Sequence, residues 1–247
     1  VKTRLEREGD VHVLTLTDPD KRNAIGYELA AELVQRADEL AADPDARVLV
    51  ICGEGSAFSA GADLPQVFGE ERPTADMRTA LRSYYECFLR IRALPFPTVA
   101  AVDGPAVGAG LNLALACDLR IASPRAAFGA TFTRIGLHPG GGCTYFLVRA
   151  LGRERALRLL LEGGTLDGAE AVSAGLATAL EHDPRAAALI LAARIASLEP
   201  WLARAVVRSA ELAESSGFEA VLEFESWAQA ESTHAGRFRD YVNTFAS

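Results

Sequence analysis

The chain has 247 residues, 49% of them hydrophobic, which is enough for a globular core without disulfide or metal staples, as one large domain or two small ones. Its net charge of −8, with both signs spread along the sequence and no basic run, argues against nucleic acid or an anionic membrane as the main partner. No charged-then-apolar leader is visible, and no apolar run approaches the roughly 20 residues needed to span a bilayer, so a cytoplasmic protein is expected. Cys52, Cys87, Cys117 and Cys143 are widely spaced and read as buried thiols. His12, His138, His182 and His234 are equally scattered, so no metal site is expected.

In chain order, "VHVLTLT" (11–17) alternates like a half-buried strand, and "DPDKRN" (18–23) supplies the turn that ends it. Leu29, Leu33, Ala37 and Leu40 form the stripe of a helix over 27–42, and "RVLVIC" (47–52) is a buried strand. The strand–helix rhythm recurs: Met77, Leu81, Tyr84, Phe88 and Ile91 share one face of a helix over 74–92, and "TVAAV" (98–102) is again a strand. "GLNLALA" (110–116) reads as helix and "DLRIA" (118–122) as strand. From about 184 the strand signals vanish and alanine- and leucine-rich helices run to the end. The last, "FRDYVNTF" (238–245), gathers Phe238, Tyr241, Val242 and Phe245 on one apolar face. The division is therefore an α/β core over 1–183 and a helical region over 184–247.

Three glycine-rich stretches interrupt this rhythm: "FSAGADL" (58–64), "DGPAVGAGLNLALACDL" (103–119) and "RIGLHPGGGCTYF" (134–146). Glycine permits positive φ and close backbone approach, and a helix that starts beside such a loop aims unpaired N–H groups at an anion or a polarised oxygen. Neither the P-loop pattern nor G-x-G-x-x-G nor the G-x-S-x-G elbow occurs, which sets aside those phosphate, dinucleotide and hydrolase sites. Tight strand–helix packing is the bland alternative for the small residues. Asp63 reads as an N-cap for the helix that follows, and Asp118 as structural.

"FSAGADL", then "GPAVGAGLNLALACDLRIA", then "AFGATFTRIGLHPGGG" together resemble the enoyl-CoA hydratase/isomerase (crotonase) superfamily, from "DKRNAI" at 21–26 to the terminal "FRDYVNTF". The resemblance implies an α/β fold, a crotonase-like spiral of repeated β-β-α units whose C-terminal helices build trimers, often paired into hexamers. It implies an acyl-CoA thioester as substrate, with CoA part of that substrate and no separate cofactor. The thioester oxygen is expected between the backbone N–H groups of Ala62 and Ala109. Arg22, Ala24, Ile25, Ala60, Gly61 and Gly108 become substrate-binding candidates, and Arg237 or Arg239 could reach a neighbouring subunit's CoA phosphates.

The chain departs from that pattern where the chemistry lies. Family hydratases hold a water between two glutamates, and the matching positions carry Asn112 and Phe132. Asparagine can hold a water but cannot take its proton, and phenylalanine can do neither. Such groups contribute about 10²–10⁴ each, so efficient hydration by the usual route is not expected. His138, Pro139 and Gly140 stand where some relatives place an acid. His138 is the only histidine in the motif region, with a loop histidine bonded to backbone as its bland alternative. Glu70, Glu71 and Asp76 read as surface charge in the stretch 68–78. The expected function is enolate stabilisation on an acyl-CoA thioester, of the hydratase/isomerase kind. A malonyl-type-CoA decarboxylase and a non-catalytic acyl-CoA binder are the alternatives.

Overall fold

A computed structural model describes residues 1–245. In chain order it comprises β1 (Thr3–Glu8), β2 (Val11–Leu16), α1 (Tyr27–Ala42), β3 (Val48–Gly53), α2 (Leu64–Phe68), α3 (Thr74–Arg92), β4 (Thr98–Val102), β5 (Pro105–Val107), α4 (Ala109–Ala116), β6 (Leu119–Ala122) and β7 (Ala127–Gly129). There follow α5 (Cys143–Leu151), α6 (Arg153–Leu161), β8 (Thr165–Asp167), α7 (Gly168–Ser173), β9 (Ala179–Leu180), α8 (Pro184–Ala196), α9 (Pro200–Ser215), α10 (Phe218–Ser232) and α11 (Gly236–Asn243). A six-stranded sheet runs β1-β2-β3-β4-β6-β9, parallel apart from the β1–β2 hairpin, and β5, β7 and β8 form a second sheet.

The larger sheet is covered on both faces. Leu14, Leu16, Leu49 and Ile51 meet α1 and α3, which bury Leu29, Leu33 and Leu40 and Tyr84, Phe88 and Ile91. The alternate residues Val11, Val13, Val48, Val50 and Val99 meet α8 through Ala188, Ala192 and Ala196. Those alanines recur every four residues, so one smooth stripe lets the helix lie close to the strands. This corrects the half-buried reading of β2, all six residues of which are buried. Its polar residues lie inside too: Thr15 shares the Val11 and Val13 face that α8 covers, and His12 lies on the opposite face beside Asp43 at the end of α1. The first helix of the C-terminal region thus belongs to the core's cover.

Beyond it the helices are differently placed. α10 and α11 bury no residue, and Trp227, Phe238, Tyr241 and Phe245 are exposed. No single helix among the described residues is long and apolar enough to cross a membrane. All four cysteines are free and buried, and burial pushes the Cys87, Cys117 and Cys143 thiols up to about 12.

Two buried polar devices hold the turns that lead to the glycine loops. Asn23, in the left-handed region at φ 55°, donates through Nδ2 to the carbonyls of Glu54 (3.0 Å) and Ala57 (2.9 Å). Its Oδ1 accepts from Asp18 N–H at 2.9 Å, so one side chain ties the end of β2 to the loop after β3. Asp118 accepts from the N–H and hydroxyl of Thr98 at 2.8 and 2.7 Å, anchoring β4 beside the end of α4, as its structural reading requires.

Candidate active site

Three backbone segments lie side by side. Ala60 N–H donates to Arg22 O (2.9 Å), Ile25 N–H to Gly61 O (2.7 Å) and Asp63 N–H to Ile25 O (3.1 Å), a short parallel pairing of 22–25 with 60–63. On the other side, Ser59 N–H donates to Pro105 O and Val107 N–H to Ser59 O, both at 3.0 Å. Gly61 sits between them at φ +101°, where a Cβ would stand 2.5 Å from Val107 O and 3.6 Å from Ala109 N. Gly110 is equally constrained, since a Cβ there would meet Ser59 O at 2.5 Å. Close backbone approach thus requires glycine at both positions.

That approach leaves two donors without protein partners. Among the described residues, neither Ala62 N–H nor Ala109 N–H donates to an acceptor within the chain. Ala109 opens α4, where a first-turn N–H has no intrahelical acceptor, and Gly108 takes the positive φ of 54° that turns the chain into it. All eight residues of α4 are buried, so its dipole begins inside the protein.

Both segments border one cavity of about 150 Å³, lined by Ala60, Gly61, Ala62, Gly108, Ala109, Asn112, Phe132 and His138 among the expected residues. Its remaining wall is largely apolar, including Phe68, Leu81, Phe88 and Leu137. Arg22, Ala24 and Ile25 do not line it: Ile25 is fully buried and Arg22 is exposed, and Arg22 and Ile25 adjoin it only through their backbone pairing with Ala60 and Gly61. Asp63 caps α2 by accepting from Gln66 N–H at 3.3 Å, as its N-cap reading requires. Glu70 is held by Arg72 at 2.6 Å on the surface, and Glu70, Glu71 and Asp76 stay outside the cavity.

Asn112 projects from α4 and is 2% exposed. Its Nδ2 donates to Gly140 O at 2.9 Å, which fixes the amide, and its Oδ1 is buried with no partner. Phe132 lies across the cavity beside Gly108, whose Cβ would stand 3.8 Å from the ring. His138 is exposed at the rim with Nδ1 2.8 Å from Pro139 O, the bland geometry for a loop histidine. Two tyrosines of α3 that the motifs did not single out also line the cavity. Tyr84 spends its hydroxyl on Ile25 O (2.9 Å), and burial raises its pKa. Tyr85 faces the Gly140–Gly141 turn, so closely that a Cβ on Gly140 would collide with its hydroxyl.

The family model for enoyl-CoA hydratase/isomerase matches residues 6–246. The chain belongs to this family. It is 48% identical over 189 residues to the probable enoyl-CoA hydratase EchA14 of Mycobacterium tuberculosis (strain ATCC 25618 / H37Rv), covering 74% of this chain and 72% of that protein. The crystal structure of an enoyl-CoA hydratase from Bacillus anthracis superposes with a TM-score of 0.91 at 27% identity, covering 100% of this chain and 96% of that one. A crystal structure from Thermobifida fusca YX, solved in complex with CoA, superposes with a TM-score of 0.85 at 34% identity and 95% coverage of each chain. The crotonase-like fold and the acyl-CoA-related family are thereby established, and the family is one of lyases and isomerases.

Proposed function

We propose that this family member binds an acyl-CoA thioester with its carbonyl oxygen between the N–H groups of Ala62 and Ala109 and stabilises the enolate that forms there. The observation that carries this reading is the pair of unpartnered backbone donors bordering one apolar cavity. A fixed donor in a dry site, aimed where charge develops, contributes roughly 3–4 kcal/mol, and α4 adds its positive end. CoA enters as part of the substrate, and no separate cofactor is invoked. We place the protein in the cytoplasm as an assembly of identical chains, a trimer or a pair of trimers, in which Arg237 or Arg239 of one chain meets the CoA phosphates of the next.

The cavity also favours a second reading of the chemistry. Among the described residues none that lines it is a carboxylate, since Asn112 and Phe132 stand where a water would be activated, so base-initiated hydration lacks its base. Loss of carbon dioxide from a malonyl-type thioester gives the same enolate with no base, and the Phe132 ring would strip water from the departing carboxylate.

Calorimetric titration with acetyl-CoA and free CoA, followed by turnover of crotonyl-CoA and malonyl-type esters, tests both readings. Binding of each ligand with CoA as the main anchor is expected. Failure of both to bind at millimolar concentration removes the acyl-CoA reading, and turnover of crotonyl-CoA at ordinary hydratase rates removes the claim that hydration is impaired.

A further inference from the structure

The cavity lacks the two carboxylates but still holds titratable side chains. Among the residues lining it these are Tyr84, Tyr85 and His138. The Tyr84 hydroxyl donates its proton to Ile25 O and is 6% exposed, so it is tied to the backbone beside the loop rather than free to react. His138 lies at the exposed rim with one ring nitrogen engaged by Pro139 O. Tyr85 is half-buried, donates to no acceptor among the described residues, and faces the turn at Gly140 and Gly141. Asn112 holds that same turn through its bond to Gly140 O. The Tyr85 ring is itself held, packed against Phe88 at 5.8 Å and edge-on to Tyr84 at 6.3 Å.

We propose that Tyr85 is the proton donor to the α carbon of the acyl group, the catalytic residue that replaces the missing acid of this site. The proposal rests on the enolate reading given above. In the step, the enolate's electron pair forms the new C–H bond and the Tyr85 O–H bond breaks. Its pair stays on the phenolate oxygen, and a solvent proton restores the phenol. Burial raises the Tyr85 pKa, partly opposed by the Gly141 N–H and by Arg82, which keeps the group protonated at neutral pH and suits an acid rather than a resting base. Gly140 must remain glycine in this arrangement, because a side chain there would displace the hydroxyl.

The test is solvent-deuterium exchange at the α carbon of bound propionyl-CoA, followed by NMR at mildly alkaline pD, where the reverse proton transfer is measurable. Wild type, Tyr85→Phe and His138→Gln are compared, with calorimetry of propionyl-CoA on each. Exchange in the wild type, retained in His138→Gln and reduced about a hundredfold in Tyr85→Phe at unchanged affinity, is the expected result. Equal exchange in wild type and Tyr85→Phe, or propionyl-CoA that binds to the wild type without exchange, overturns the role of Tyr85. Propionyl-CoA that does not bind at all removes the underlying acyl-CoA reading instead.

Discussion

Gly61 is pressed against the loop that carries Ala109: a Cβ on Gly61 would stand 3.6 Å from the Ala109 nitrogen and only 2.5 Å from Val107 O. The two segments that supply unpartnered N–H groups are therefore in contact, and glycine's missing side chain is what lets them meet. Gly61→Ala combines that clash with a φ of +101°, a conformation L side chains rarely adopt. We expect it to lower stability by about 2 kcal/mol or more, read from the urea midpoint, and to weaken acyl-CoA binding as the loops part. An unchanged midpoint with unchanged binding would show that the two loops need no such closeness.

Hydration is expected to be at least about a hundredfold slower than a two-glutamate site would give. Asn112→Glu together with Phe132→Glu should raise crotonyl-CoA hydration by more than the product of the single changes, since two carboxylates would share one water. Asn112→Glu alone should also cost about 1–2 kcal/mol, because Gly140 O loses its donor and faces a carboxylate. Rapid hydration by the unmodified chain would mean that another acid–base pair operates.

The long, evenly spaced elements were legible in the sequence. The helix at 74–92 and the strand at 98–102 have the ends expected for them, since Pro73 opens the helix, Tyr84, Phe88 and Ile91 recur along its buried face, and every residue of the strand is buried. The second sheet was not legible, because β5, β7 and β8 have three residues each, too few for a period of two to show. Tyr85 was hidden for a related reason. It adjoins the buried stripe of α3, and periodicity ranks a residue by its helix face rather than by the cavity that opens where the stripe ends. Asn23 read only as a turn residue, although a left-handed asparagine with every side-chain bond satisfied is a structural hub.

The exposed face of α11 predicts assembly. Phe238, Tyr241 and Phe245 are 45%, 63% and 75% exposed in the single chain, an apolar surface continuous with the cleft against Trp201 and Leu202. Sedimentation should find the wild type oligomeric, and Phe238→Glu with Tyr241→Glu should shift it toward smaller species. A monomeric wild type would contradict the proposed use of Arg237 or Arg239 by a neighbour.

His12 makes stability depend on pH. It is 7% exposed, its Nδ1 has no partner, and burial lowers its pKa from 6.5 despite Asp43 at 3.3 Å. The unfolded chain therefore takes up the proton first as pH falls, so the stabilising contribution is present above about pH 6.5 and lost as pH drops through the lower folded value. Urea midpoints for wild type should fall between about pH 7 and pH 5, and His12→Leu should fall less. An equal decline in both would assign the pH dependence to other groups.

The most direct measurement of the central claim is the carbonyl stretch of a bound, isotope-labelled acyl-CoA in wild type and Ala109→Pro. Ala109 is the first residue of α4, where proline is favoured and its missing N–H costs no intrahelical bond, so the variant should keep its circular dichroism while deleting a single N–H. The account predicts a band moved to lower frequency in the wild type and returned most of the way toward the free thioester in Ala109→Pro. A folded Ala109→Pro protein that still binds the thioester and shifts its carbonyl as the wild type does would contradict the account.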